Sequence, residues 1–107
     1  MDIAQLQSEV KEWATRNFPD NKPYHCLLGA VEEIGELSHA HLKEEQSIRG
    51  ESIDHVTAAK DAVGDTIIYL TDYCNRREWD LDEILQTVWN EVKQRDWTKN
   101  KHDGITE

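Results

Sequence analysis

The sequence of 107 residues is poor in the features that mark secreted and membrane proteins. It has two cysteines, Cys26 and Cys74, and neither belongs to a Cys-x-x-Cys pair, so we expect two buried thiols rather than a disulfide framework. No run of about 18 apolar residues occurs, which argues against a membrane-spanning helix. The first residues also lack the basic and apolar regions of a signal peptide. These absences predict a protein of the reducing cytoplasm without a membrane partner.

Basic residues are also scarce. Twelve Lys and Arg oppose twenty-two Asp and Glu, and the formal net charge is −10 at pH 7. Nonspecific binding to nucleic acid depends on Lys and Arg that neutralise phosphates, so this composition argues against a nucleic-acid polymer as partner. Hydrophobic residues make up 37% of the chain, which is enough for one core. We therefore expect a single domain over residues 1–107, with a frayed polar tail from about residue 102 to residue 107.

Apolar residues recur at helical rather than strand spacing along nearly the whole chain. This periodicity predicts an all-α domain with four main helices that form a bundle. Three of the expected helices cover residues 3–18, about 27–43 and about 54–77. The fourth starts after Asp80, whose carboxylate can cap it, and carries an apolar stripe as far as Val92.

The second helix separates an apolar side from an acidic side. One side carries large aliphatic residues, namely Leu27, Leu28, Val31, Ile34, Leu37 and Leu42. Glu32, Glu33 and Glu36 lie together on the opposite side. Gly29 and Ala40 share that acidic side, so another helix or a ligand can come close to it. On this helix alone, the cluster is equally typical of a solvated acidic face.

The third helix carries Asp61, Asp65 and Asp72 in one stripe, about 40° wide, among mainly apolar neighbours. A helix that is apolar on nearly all sides is expected to be buried, in its own chain or against a partner. Buried carboxylates have to be paired, protonated or bound to a metal. Because Lys60 is the only Lys or Arg within residues 52–75, we favour a metal. Mg²⁺ and Mn²⁺ prefer all-oxygen ligands of this kind.

Two alternatives to a magnesium site remain open at this point. Glu36 and His39 form one Glu-x-x-His pair of the kind that ferritin-like di-iron bundles use twice, but the sequence contains no second pair. A non-catalytic helical module is the other alternative. It would be a dimer whose acidic surface binds a basic partner.

Positive charge is concentrated in the last part of the fourth helix, at Lys93, Arg95, Lys99 and Lys101. These cations either complement the C-terminus of a helix or form a phosphate clamp that faces the acidic centre. Trp97 lies among them and can stack on a base or cover the core. Asn17 and His25 are further candidates for contacts with a base.

At these residues the sequence resembles the MazG-like nucleotide pyrophosphohydrolases of the all-α NTP pyrophosphatase superfamily. That family carries an E-E-x-x-E motif on one helix and an E-x-x-D motif on a following helix. Residues 32–36 match the first motif completely. In the second, Asp65 matches the Asp, whereas Ala62 stands where the motif has Glu. Asp61, one turn before Asp65, can substitute for the missing carboxylate.

The resemblance extends over about residues 13–97 and implies a function. Members of the family hydrolyse nucleoside triphosphates to the monophosphate and pyrophosphate with Mg²⁺, and they form dimers or dimers of dimers. Tyr69 matches a tyrosine that some relatives use at the nucleotide. Lys93 and Arg95 resemble the basic residues that close the last helix of the family. Control of the nucleotide pool, or removal of unwanted nucleotides, is the implied role.

The acidic residues are the expected metal ligands and catalytic residues. We expect Glu33, Glu36 and Asp65 to be the core ligands, with Glu32 and Asp61 completing the shell or orienting the attacking water. A protein with a net charge of −10 accepts a triphosphate only when divalent cations first invert the local charge.

Overall fold

The computed structural model describes residues 1–105 and contains four helices in the predicted order. They are α1 (Ile3–Asn17), α2 (Pro23–Gln46), α3 (Ser52–Arg76) and α4 (Leu81–Val92). No strand occurs in this part of the chain, so the prediction of an all-α fold is confirmed. None of the helices between residues 1 and 105 combines the length and hydropathy needed to cross a bilayer.

The starts of two helices differ from the prediction because of their capping. α2 begins at Pro23, four residues earlier than expected, since proline is favoured in the first turn, where its missing N–H leaves no bond unmade. α3 begins at Ser52. The Asp54 carboxylate lies inside its first turn and accepts a hydrogen bond from the backbone N–H of Glu51. Asp80 caps α4, as predicted, by accepting from an amide of the first turn.

α2 and α3 form the principal packing unit, an antiparallel hairpin. At one end the Ser52 hydroxyl donates to the Glu44 carboxylate, and at the other end Cys26 lies beside Asp72. Small side chains fill the contact and let the two backbones approach closely. The buried ones are Cys26, Ala30 and Ala40 on α2 and Ala62 on α3. α3 therefore packs on the side of α2 that carries Gly29 and Ala40, where a close approach was predicted.

The aliphatic side of α2 does not enter this contact. Leu28 and Val31 are 64% and 67% exposed, and Leu27, Ile34 and Leu42 are exposed as well. This aliphatic side of α2 is therefore mostly exposed and does not form the contact with α3. Small residues allow α3 to pack on the opposite side, and no other helix of the chain covers the aliphatic one.

α1 and α4 are added to one side of the hairpin. α1 packs on α3 and buries Val10 and Ala14, whereas α4 packs on α1 and has no buried residue. The Gln7 side chain joins α1 to the start of α4, because its amide donates to the Trp79 carbonyl and its oxygen accepts from the Leu81 N–H. The apolar stripe of α4 is thus left mostly on the surface.

A nearly buried ion pair connects α3 to the loop before α2. Arg76 Nε donates to Asp72 Oδ1 at 2.9 Å, and the two Nη groups donate to the carbonyls of Asn21 and Phe18. Asp72, the third carboxylate of the α3 stripe, is therefore neutralised by an arginine and needs no metal. Arg76 lies one turn after Asp72 and just outside residues 52–75, in which Lys60 is the one Lys or Arg.

Both cysteines are buried and free, which confirms the prediction of buried thiols. Burial, together with the hydrogen bond and charge of Asp72, raises the pKa of Cys26 to about 11. Burial also raises the pKa of Cys74. Because the thiolate is the nucleophilic form, neither cysteine is reactive near neutral pH.

The segment after α4 forms hydrogen-bonded turns where fraying was expected. The Asp96 N–H donates to the Gly104 carbonyl at 2.7 Å, and the Gly104 N–H donates to the Asn100 carbonyl. Gly104 is buried and has a φ of 77°, which side chains rarely adopt. Residues 102–105 are thus held in turns, and the last two residues of the expected tail lie outside the described residues.

Candidate metal centre

Three glutamates of α2 lie close together on one turn. One carboxylate oxygen each of Glu32, Glu33 and Glu36 lies within 4.8 Å of the other two. The helix produces this proximity, because residues three and four positions apart are neighbours on its surface. Glu32 and Glu36 are exposed, whereas Glu33 is half-buried. The structure therefore brings together the three glutamates that the sequence singled out.

Glu33 has the least favourable surroundings for a lone carboxylate. Its Oε2 is buried and has no hydrogen-bond partner among the described residues. Burial, followed by the charge and a side-chain hydrogen bond of Glu36 and then by the charges of Asp65 and Glu32, raises the pKa of Glu33 above its ordinary value of 4.5. A buried oxygen surrounded by like charges requires either a proton or a cation.

Asp65 of α3 acts on this cluster through its charge, although it lies outside the group of three close carboxylates. Cys26 of α2 lies beside Asp72 of α3. Because the two helices are antiparallel, the residue seven positions after Cys26, which is Glu33, lies at the level of the residue seven positions before Asp72, which is Asp65. The charge of Asp65 is one of those that raise the pKa of Glu33, as this register requires. Asp65 is itself exposed, so its carboxylate is accessible to an ion from solvent.

Asp61 and Ala62, the two positions in question for the second motif, have different environments. Ala62 is 2% exposed and packs in the contact between α2 and α3. Asp61 is exposed, one turn before Asp65, and lies outside the group of three close carboxylates. Asp61 is therefore one helical turn away from Asp65, the α3 residue whose charge acts on Glu33.

Tyr69 borders the cluster on α3, one turn after Asp65. Its ring lies against α2 at Gly29, where a built Cβ would be 2.5 Å from the ring Cζ. Burial raises the pKa of Tyr69, and the charges of Glu33, Glu32 and Asp65 raise it further. A phenol hydroxyl therefore lies in the field of the carboxylates. The sequence showed the glycine on the acidic side of α2, but not that this tyrosine fills its space.

The predicted phosphate clamp lies beyond the end of α4, which packs on α1. Arg95 and Trp97 surround Gly104, where a built Cβ would lie 2.8 Å from Arg95 Cβ and 3.2 Å from Trp97 Cε2. Lys93 is exposed at the end of α4. In residues 1–105, no lysine or arginine is among the charges that shift the pKa of Glu33 or Tyr69.

Asn17 and His25, the candidates for base contacts, have partners at helix ends. Asn17 Nδ2 donates to the Trp13 carbonyl at 2.8 Å. His25 Nδ1 accepts from the Lys22 N–H at the start of α2, and its ring lies 4.3 Å from that of Tyr24. The side chains of both residues therefore make local contacts that stabilise helix ends.

The donor set fits a hard divalent cation. The close group on α2 consists of three carboxylates, and the charge of Asp65 on α3 acts on it from outside that group. Oxygen ligands of this kind suit Mg²⁺ or Mn²⁺, whereas zinc and iron sites use thiolate or imidazole as well. The unpartnered Oε2 of Glu33 is the atom that a bound cation would satisfy.

Comparison with known proteins does not place the chain in a family. No protein family, no curated protein and no solved structure matches it. A proposal about its function therefore depends on the acidic motif and on the geometry around Glu33.

Proposed function

We propose that this protein is a Mg²⁺-dependent, MazG-like nucleoside triphosphate pyrophosphohydrolase that acts in the cytoplasm on the nucleotide pool. It converts a (d)NTP to the (d)NMP and pyrophosphate. The observation that carries the proposal is the buried and unpartnered Oε2 of Glu33, among carboxylates from two helices. The match of residues 32–36 to the E-E-x-x-E motif supports it.

The carboxylates of α2 and α3 have distinct parts in this proposal. Glu33, Glu36 and Asp65 would hold the metal, which would supply Lewis acidity at the α-phosphate. Glu32 is exposed at the edge of the cluster, where its carboxylate can orient the attacking water and accept its proton. The Tyr69 hydroxyl can donate a hydrogen bond to a phosphate oxygen. The bond from the α-phosphorus to the bridging oxygen breaks, and pyrophosphate leaves.

Hydrolysis of a panel of (d)NTPs in the presence of Mg²⁺ tests this activity directly. The purified protein should release pyrophosphate rather than orthophosphate. Glu36→Gln and Asp65→Asn should each lower turnover by about 10²-fold or more, because each removes a ligand charge. Glu12→Gln, which neutralises an exposed carboxylate of α1, should leave turnover unchanged. Wild-type turnover in both ligand variants would show that the site is assigned wrongly.

A melting experiment separates the enzyme from a non-catalytic acidic module. A ligand that binds only the native state raises the melting temperature, so Mg²⁺ should raise the Tm of the wild type but not of Asp65→Asn. An acidic interaction module would show neither this specific shift nor hydrolysis of any nucleotide. That result would reject the enzyme and favour the module.

The exposed surface supports a homodimer, or a dimer of dimers, as the active form. The chain exposes 8264 Å², whereas a compact monomer of 12.5 kDa exposes about 6,200 Å². Its radius of gyration is 17.5 Å, against about 13 Å for a compact chain of this length. Burial of the excess, about 2,000 Å² per chain, would give an interface of the size that obligate dimers have.

The second copy would cover what we term the outer aliphatic face. It consists of the exposed aliphatic residues of α2, namely Leu27, Leu28, Val31, Ile34 and Leu42. Aliphatic side chains on long helices usually pack against another helix, and a contiguous patch of this kind marks an interface. Since the same face on another chain is apolar and equally uncovered, a symmetric pair satisfies both.

A further inference from the structure

Gly29 has a steric reason to be a glycine that the other glycines of the hairpin lack. A Cβ built on Gly29 would lie 2.5 Å from Cζ and 2.6 Å from Cδ1 of Tyr69, which is closer than real Cβ atoms approach a neighbour. A Cβ built on Gly35 or Gly64 would meet nothing within 4 Å among the described residues. Glycine weakens the interior of a helix, so a helix gains from it only where the missing side chain is needed.

The contact between Gly29 and Tyr69 lies one helical turn from the level of Glu33 and Asp65, where the charge of Asp65 acts on Glu33. Glu33 follows Gly29 by four residues on α2, and Asp65 precedes Tyr69 by four residues on α3. In an antiparallel hairpin these two levels stack directly on one another. The charges of Glu33, Glu32 and Asp65 act on the Tyr69 phenol, as this stacking requires.

We infer that Gly29 is a positioning residue of the carboxylate site, because it admits the Tyr69 ring between the helices and holds the phenol hydroxyl beside the carboxylates. The role of Gly29 in catalysis rests on the proposed hydrolysis of nucleotides, whereas the placement of the Tyr69 ring does not. At this position the hydroxyl supplies a neutral hydrogen-bond donor in a site whose other side chains are anionic. A methyl group on residue 29 would push the ring away and move the donor out of reach.

Melting temperatures without metal test the placement of the ring. Gly35→Ala should raise the Tm by about 2–6 °C, because alanine stabilises an unobstructed helix. Gly29→Ala should instead lower it, because the added methyl group collides with the ring. Gly29→Ala combined with Tyr69→Leu, which removes the ring, should recover most of the loss. An increase for Gly29→Ala equal to that for Gly35→Ala would overturn the inference.

A double-mutant cycle tests whether Gly29 acts through the hydroxyl. Tyr69→Phe keeps the ring, so its Tm should stay near that of the wild type. At a temperature well below every Tm, Tyr69→Phe and Gly29→Ala should each lower kcat/KM by about 10-fold or more. The double variant should be no worse than Gly29→Ala. If the fold-losses of kcat/KM in the two single variants multiplied in the double variant, the positioning role would be rejected. Independent losses of this kind would mean that Gly29→Ala causes a structural defect unrelated to the hydroxyl.

The two proposals fail in different ways. If the wild type hydrolyses no nucleotide, the proposed function is rejected, while the three melting temperatures still decide whether Gly29 places the ring. In that case the readout of the double-mutant cycle is the Mg²⁺ concentration that gives half of the maximal rise in Tm. If hydrolysis occurs but Gly29→Ala and Gly35→Ala have equal kcat/KM values, the function stands and the inference about Gly29 is rejected.

Discussion

The Glu33 side chain ionises in surroundings that favour its neutral form. Burial and the charges of Glu36 and Asp65 raise its pKa above 4.5, the ordinary value that it regains in the unfolded chain. Ionisation is therefore harder in the folded state, so the stability of the wild type falls as the pH rises from the ordinary pKa through the raised one. Below the ordinary pKa the carboxyl is protonated in both states, and the effect vanishes.

Glu33→Gln should consequently raise the Tm in metal-free buffer at about pH 7.5, and this gain should disappear below the ordinary glutamate pKa. Mg²⁺ should reverse the order, because a cation stabilises the charged carboxylate that glutamine lacks. Thermal melts across this pH range, with and without Mg²⁺, measure both effects. The exposed control Glu12→Gln should show neither. A gain that persisted undiminished in acid would contradict the assignment to Glu33.

Arg76 is the residue on which the loop between α1 and α2 depends. The side chains of Arg76 and Asp72 are 15% and 11% exposed, and the arginine also satisfies the carbonyls of Asn21 and Phe18. Removal of one member of such a pair leaves an uncompensated charge in a poorly solvated place.

Arg76→Met should lower the free energy of unfolding by about 3–5 kcal/mol, because Asp72 would lose its partner. Arg76→Met combined with Asp72→Leu should recover part of this loss, since no buried charge is left. Arg16→Met, on the exposed side of α1, should change stability by no more than about 0.5 kcal/mol. Urea unfolding measures all three. A loss in the double variant as large as in the single one would argue against the ion pair.

At the level of helices, the short distance between α2 and α3 is what joins Asp65 to the glutamates. Ala62 is almost completely buried in their contact, whereas Ala58, one turn earlier on α3, is exposed. A side chain larger than alanine at position 62 has to separate the two backbones.

Ala62→Leu should therefore lower the free energy of unfolding by about 1–3 kcal/mol, and Ala58→Leu should change it little. Ala62→Leu should also weaken the Mg²⁺-dependent rise in Tm, because Asp65 would move away from Glu33. Denaturant unfolding and thermal melts test the pair of variants. Equal effects of the two substitutions would show that position 62 is not confined between the helices.

For the molecule as a whole, the proposed dimer depends on the outer aliphatic face. The wild type should elute with the mass of two chains, about 25 kDa, or of four, because one chain cannot cover this face. Val31→Glu puts a charge in the middle of it and should shift the mass towards 12.5 kDa. Gln86→Glu adds the same charge to the exposed surface of α4 and is the control. Size-exclusion chromatography with light scattering gives the masses, and a monomeric wild type would refute the dimer.

Local spacing was enough to predict the four helices and the acidic cluster. The apolar periodicity of each helix follows from the 3.6-residue turn, and Glu32, Glu33 and Glu36 are neighbours on any helix that contains them. Gly29 and Ala40 also indicated correctly the side of α2 that another helix could approach. These features need no knowledge of distant parts of the chain.

The pairing of residues distant in sequence came from the packing of the helices. The periodicity of α2 defines two sides but not which of them meets α3, because an aliphatic side can be covered by the same chain or by another copy. The packing also brings Arg76 of α3 to the carbonyls of the first loop and lays Tyr69 over Gly29. Such contacts depend on how closely two backbones can approach, and small residues allow the closest approach.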